Sequence, residues 1–182
     1  MLNRRDFLKK SIILGAGLSV SPYELFAYRL PVDRSIKFYN IHTGEHLKAT
    51  YWAKDHFVDS ELAKINHFLR DYRTGDVQKM DVKLLDLLYA IQLIRDTNKP
   101  FKVISGYRSP KTNAMLRKHT EGVAKNSFHL KARAIDINLP GTELKDLKKL
   151  AHFLRRGGVG YYPRSGFMHI DTGPIRYWSH GL

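Results

Sequence analysis

The stretch from Ser127 to Asp136, SFHLKARAID, sets His129 and Asp136 seven residues apart, and an imidazole and a carboxylate are both common zinc ligands. Thirty-three residues after Asp136, GFMHIDTG adds His169, followed two positions later by Asp171. ARAIDIN alternates as a strand does, so Ala134, Asp136 and Asn138 share one face while Ile135 and Ile137 point to a core on the other. In the later segment His169 and Asp171 share a face opposite Met168 and Ile170. Histidine, aspartate and histidine supplied from two strands fill three corners of a tetrahedron and leave the fourth to water, the arrangement of a catalytic zinc rather than a structural one. The same residue types also suit hydrogen-bonded core positions, and spacing alone leaves both readings open. The chain has no cysteine, so a metal would rest on nitrogen and oxygen donors only.

Elements to position these groups can be read along the chain. Residues 28–35 are a proline-containing linker, and 35–40 and 45–51 read as strands joined through the turn His42-Thr43-Gly44. Histidines at a turn or a sheet edge, His42 and His46, are expected in solvent. A helix capped by Asp59 or Ser60 carries Leu62, Ile65, Leu69 and Tyr72 on one face until Thr74-Gly75, and His67 on it reads as structural. From Asp81 a second helix is apolar on most sides and is expected at the centre of the core, stopped by Asn98-Lys99-Pro100. A buried strand at 101–105 delivers Arg108 to the rim of the sheet, where a guanidinium can grip a carboxylate or carbonyl with two hydrogen bonds. Ser109-Pro110 then opens a short helix to about Lys118, and 119–126 is a basic loop expected at the mouth of a cleft. Thr142 is the predicted cap of a helix carrying Leu144, Leu147, Leu150, Ala151 and Leu154, and 158–162 and 167–171 form a hairpin. Tyr161 and Tyr162 either line the cleft or pack in the core. Helices against a small, mostly antiparallel sheet make the class α+β.

One domain suits 182 residues without repeats. Its ends differ in chemistry. Residues 1–27 carry Arg4-Arg5, then Phe7-Leu8 and an apolar run from Ser11 to Val20, the pattern of a twin-arginine export signal. That run is shorter than the roughly 20 apolar residues a bilayer span needs, so no stable membrane anchor is expected. The formal net charge is +14, and since residues 1–27 hold four of the 31 basic and two of the 17 acidic side chains, the remaining domain at 28–182 keeps +12. Such a surface suits a polyanion, whether nucleic acid, anionic lipid or the carboxylate-rich stem peptides of peptidoglycan. For an exported protein nucleic acid is disfavoured.

SxHxxGxAxD with a later histidine is the signature of the D-Ala-D-Ala peptidases, peptidase family M15, zinc enzymes that cut bacterial cell-wall peptides. The chain resembles this family at Ser127, His129, Ala134 and Asp136, with Ala132 where the family has glycine. IHTGE at 41–45, ISGYRSPKTN at 104–113 and GGVGYYPRSGFMHIDTGP at 157–174 extend the likeness, to a twin-arginine-exported murein endopeptidase branch, over nearly all of the domain. The resemblance implies the fold shared by hedgehog signalling domains and D-Ala-D-Ala peptidases, Zn2+ held by His129, Asp136 and His169, and a substrate-gripping, transition-state-steadying role for Arg108. It implies peptidoglycan as substrate, the twin-arginine machinery as export partner and the periplasm as location, and it leaves oligomeric state open. Ser127 either binds the substrate peptide or supports the chain before the strand. Relatives often carry a Glu or His two or three residues before the last zinc histidine, but Phe167 and Gly166 stand there. Asp171 is the first candidate for the general base, or else orients a zinc ligand, with Glu121 and His119 next. Two further functions fit the same resemblance: a zinc carboxypeptidase on stem peptides, and a zinc-stabilised cell-wall binding module without catalysis.

Overall fold

The structure, a computed structural model, describes residues 33–120 and 122–181. The proposed signal at 1–27, most of the linker and Glu121 lie outside the described residues. The elements are β1 (Arg34–Asn40), β2 (His46–Ala53), β3 (His56–Phe57), α1 (Asp59–Phe68), α2 (Val82–Ile94), β4 (Phe101–Ser105), α3 (Pro110–His119), a single 3-10 turn (Phe128–Lys131), β5 (Ala134–Asn138), α4 (Leu144–Leu154), β6 (Gly158–Tyr162), β7 (Phe167–Asp171) and β8 (Arg176–Ser179). The strands form one sheet in the order β3-β2-β1-β4-β5-β7-β6-β8. Five of its pairings are antiparallel, and β1 with β4 and β6 with β8 are parallel. The class is α+β, as read from the sequence, but the sheet is larger than expected because β3 and β8 extend its two edges.

Alternation in β5 and β7 separates two functions. Ile135, Ile137, Met168 and Ile170 are fully buried in the core with Leu84, Leu85, Leu88 and Ile91 of α2 and Leu147 and Leu154 of α4. Each such side chain contributes about 1.5–3 kcal/mol by leaving water. The intervening residues Asp136 and His169 are thereby turned to the other face, and the register places them directly opposite each other. Apolar alternation therefore builds the core and, in the same stroke, sets the chemical groups side by side.

Several boundaries depart from the sequence reading. Helix α1 ends at Phe68 rather than near Thr74, and its N-cap is Val58 with no side-chain cap. Leu69 ends the helix because its carbonyl accepts the backbone N–H of Tyr107 (2.8 Å) and Gly106 packs against it, where a Cβ would lie 2.5 Å from the Leu69 carbonyl oxygen. α4 begins after Glu143, which makes no side-chain cap bond, so Thr142 is not the cap. Asp81 and Ser109 do cap, accepting from Lys83 N and Thr112 N. β3 and β8 escape sequence reading because a two-residue strand and a four-residue strand carry too little pattern.

Asp71 ties the end of α1 to the start of α3 and so fixes the segment that carries Arg108. Its buried carboxylate accepts from Ser109 N (2.9 Å) and Arg73 N (3.0 Å). Burial pushes this carboxyl up, but hydrogen bonds from Thr112 and Ser109 outweigh it and hold Asp71 below the usual carboxylate range. A depressed native pKa gives stability that is present above the unfolded value, about 3.9, and is lost as pH falls through the native one. Asp71→Ala is expected to cost about 2–3 kcal/mol at pH 7, because the buried N–H of Ser109 and the part-buried N–H of Arg73 lose their acceptor. Urea unfolding should show the difference from wild type narrowing below about pH 4.

Candidate metal centre

His129 Nε2, Asp136 Oδ1 and His169 Nδ1 form a triangle with sides of 3.2, 3.1 and 2.9 Å. All three residues are buried, and they are the one group of at least three such side chains among the described residues with the geometry to hold a metal ion. Ligands about 2.1 Å from a tetrahedral ion lie roughly 3.4 Å apart, so the triangle is slightly tighter than a loaded site and needs little movement to become one. The rings of His129 and His169 stand edge to face, 5.0 Å apart.

The outer nitrogens decide which lone pairs converge. His129 Nδ1 lies 2.7 Å from the Gly106 carbonyl oxygen, which can only accept, so Nδ1 carries the proton and Nε2 presents a lone pair. His169 Nε2 lies 2.8 Å from Asp171 Oδ2, so Nε2–H donates outward and Nδ1 faces the triangle. Two imidazole lone pairs and a carboxylate oxygen then meet at about 3 Å and repel one another unless a cation or a proton joins them. In keeping with this, His169 is pushed up to about 9: burial opposes its charge, but the bonds to Asp136 and Asp171 overcome it. Burial lowers His129 despite Asp136, and Asp136 is held far below the usual range by both histidines although burial opposes it. This donor set fits a divalent metal.

His129 is placed by the 3-10 turn. Ser127 caps that turn, its Oγ accepting from His129 N (3.3 Å), and the His129 carbonyl accepts from Arg108 N (3.2 Å) and Ala132 N (3.2 Å). Ala132 closes the turn at φ 51°, ψ 34°. That left-handed conformation is the physical reason a glycine suits this position, and Ala132 holds it at a cost of about 1–2 kcal/mol.

His169 is placed by β7 and by the two strands beyond it. Gly160 of β6 pairs with His169 on one side and with Trp178 of β8 on the other. Two bare positions on this face of β6 let β8 side chains lie across the strand. A Cβ on Gly158 would fall 2.5 Å from Asp171 Oδ2 and from Arg176 Nη1, and one on Gly160 would fall 2.5 Å from the Trp178 indole. Over the first, Arg176 reaches Asp171 with Nη2 at 2.6 Å and Nη1 at 3.1 Å. Over the second, the Trp178 ring comes within 5.2 Å of the His169 ring, and its Nε1–H donates to Tyr162 Oη (2.9 Å).

The residues singled out from the sequence divide accordingly. His129, Asp136 and His169 meet, and Arg108 stands beside them with Nη2 3.6 Å from Asp136 Oδ2. Asp171 is fully buried, and besides His169 and Arg176 it accepts from Gly158 N (3.1 Å) and Gly173 N (2.7 Å). Burial opposes its charge, yet these donors hold its carboxyl far below the usual range. Ser127 Oγ is engaged by the backbone of His129. His119 is exposed at the end of α3, and His42, His46 and His67 are exposed and outside the triangle. Arg176, Trp178 and the glycines of β6 were not identified as site residues from the sequence, which leaves Tyr162 between lining the cleft and packing in the core. The Gly-x-Gly of GGVGYY was a signal available for them, since an unexplained glycine in a strand marks close approach by another group.

A family model described as peptidoglycan L,D-endopeptidase MepK matches residues 30–178. The chain is 45% identical over 177 residues to the peptidoglycan L,D-endopeptidase MepK of Escherichia coli K12, covering 97% of each chain. It is equally similar to the protein of that name from Shigella flexneri. It is 43% identical over 178 residues to the probable peptidoglycan L,D-endopeptidase MepK of Haemophilus influenzae, covering 97% of this chain and 95% of the relative.

Gly160→Ala should drive a methyl into the Trp178 ring. The expected cost is about 1–3 kcal/mol of stability, as for other overpacked sites. In a Trp52→Phe background Trp178 is the sole tryptophan. Its emission should then shift toward that of an exposed indole in the Gly160→Ala variant and stay unshifted without it.

Proposed function

The chain belongs to peptidase family M15, in its MepK branch, and from that membership we propose that it is a zinc-dependent endopeptidase hydrolysing the peptide cross-links of peptidoglycan. The observation that carries the proposal is the buried triangle of His129, Asp136 and His169, whose inner atoms all present lone pairs to one point. Zinc held there supplies Lewis acidity, polarising a carbonyl and making a water nucleophilic at neutral pH.

The chain's own residues do the rest. Gly106 and Asp171 fix the two imidazole tautomers, and Arg176 in turn fixes Asp171. We assign Asp171 to orientation rather than to proton abstraction, because both its oxygens are taken by donors and it has no exposed surface. Arg108 is the group to grip substrate, its guanidinium lying beside the triangle with Nε buried and unpaired among the described residues. Ser127 belongs to the support of His129. Of the remaining candidates for the base, His119 is exposed at the end of α3 and is not one of the triangle's three side chains, and Glu121 lies outside the described residues.

The relatives' name, L,D-endopeptidase, favours a cross-link whose amide joins an L centre to a D centre, as between two diaminopimelates, over the D-Ala to diaminopimelate bond. The domain's positive charge suits the carboxylates of such stem peptides. No helix among the described residues is long and apolar enough to cross a membrane. The twin arginines at Arg4 and Arg5, followed by the short apolar run from Ser11 to Val20, support export of a 28–182 domain to the periplasm by the twin-arginine route.

Purified protein should convert L,D-cross-linked muropeptide dimers to monomers, lose this activity with a chelator and regain it with zinc. Shortened monomers instead would indicate a carboxypeptidase, and retention on sacculi without cleavage a binding module. His129→Ala, Asp136→Ala and His169→Ala should each lose most bound zinc and dimer cleavage while remaining folded on the separate apolar core. Asp171→Asn should weaken zinc by about tenfold or more and recover turnover when zinc is raised. Full zinc occupancy with no turnover in that variant would instead make Asp171 the base.

A further inference from the structure

We propose that Tyr162 is a further catalytic residue, its phenol donating a hydrogen bond to the substrate carbonyl oxygen as that oxygen gains negative charge on attack by water. The inference rests on the peptidase reading above.

Tyr162 is the last residue of β6, two positions beyond Gly160, so it stands on the sheet face that carries Asp136 and His169. Its ring is stacked on Phe167 of β7, with centroids 4.5 Å apart and an interplanar angle of 14°. Its oxygen is held by the Trp178 indole, which itself lies against His169. Ring and oxygen are thus both fixed, as a group that must meet a developing charge needs to be.

The hydrogen-bond inventory gives the hydroxyl its direction. An indole N–H can only donate, so Tyr162 Oη accepts from Trp178 and its own proton is left for another acceptor. Among the described residues no acceptor takes it. In the sheet, β6 with Tyr162 and β4, after which Arg108 follows, flank the two strands that carry Asp136 and His169. Burial pushes the phenol above its ordinary value, which keeps the proton in place at neutral pH. Tyr162 and Arg108 therefore form a pair of donors beside the metal ligands. As water adds to the carbonyl carbon, negative charge grows on the carbonyl oxygen. A donor fixed in advance stabilises that charge more than it stabilises the neutral amide.

A structural role alone predicts something different. If Tyr162 served only to satisfy Trp178, removing its hydroxyl would lower stability and leave the chemistry of the folded enzyme unchanged. Tyr162→Phe keeps the stack on Phe167 and removes only the oxygen. The expected result is a loss of roughly 10²-fold in kcat on L,D-cross-linked dimers, with KM within about threefold of wild type and zinc content unchanged. A phosphinic dipeptide, whose P–O⁻ imitates the tetrahedral state, should bind Tyr162→Phe at least about tenfold more weakly by calorimetry. Trp178→Phe, which keeps the phenol but frees it, should lose kcat by a smaller factor and also retain zinc. A Tyr162→Phe kcat within about threefold of wild type, a change in KM alone, unchanged phosphinate affinity, or loss of zinc would each overturn the proposal. If wild-type protein fails to cleave the dimers, the peptidase reading falls and this inference with it. If wild type and Tyr162→Phe cleave equally, only the role of Tyr162 falls.

Discussion

Two imidazole lone pairs and a carboxylate oxygen held about 3 Å apart, out of water, repel one another unless a positive charge sits among them. The protein imposes that arrangement from outside the triangle. The carbonyl of Gly106 and the carboxylate of Asp171 each take the proton of an outer nitrogen, so neither histidine can turn its N–H inward without stranding a buried acceptor. Affinity for a cation is thereby written into the groups behind the ligands as much as into the ligands.

Holding those groups in place engages most of the fold. Gly106 is pressed against Leu69 at the end of α1, and Asp71 joins that end to α3, so the carbonyl that orients His129 is set by helix packing. On the other side, Asp171 is neutralised by Arg176 from β8, an edge strand that reaches it only because Gly158 has no side chain. A buried carboxylate without such partners would raise its pKa and protonate, and the tautomer of His169 would no longer be fixed. Ala132 shows the same priority: a non-glycine residue is kept in a left-handed conformation so that the turn bearing His129 can close.

The two groups proposed to meet substrate are built in on different terms. Arg108 and Tyr162 come from opposite flanks of the triangle, the first from the segment after β4 and the second from β6. Both are partly buried and both have hydrogen-bonding capacity that the described residues do not fill. Unspent donors beside a saturated ligand set mark where a further molecule has something to bind.

The chain alone made legible the two histidines and the aspartate that meet in the triangle, the alternation that turns Asp136 and His169 away from the isoleucines, the apolar helix at the core, and the arginine after β4. These are properties of residues near one another in the chain, where strand and helix periodicity act. It left Asp171 between two roles, placed the end of α1 too late and did not reach β8. Asp171 stands two residues after His169 whichever role it has, and only the contacts from Arg176, Gly158 and Gly173 show that its oxygens are occupied. The helix end was decided by the Tyr107 N–H reaching the Leu69 carbonyl from a distant segment. The glycines of β6 were visible as residues, but their use depends on what a neighbouring strand lays over them. Local pattern fixes which face a side chain takes, whereas the partner it meets there is chosen by register and packing between segments far apart in the chain.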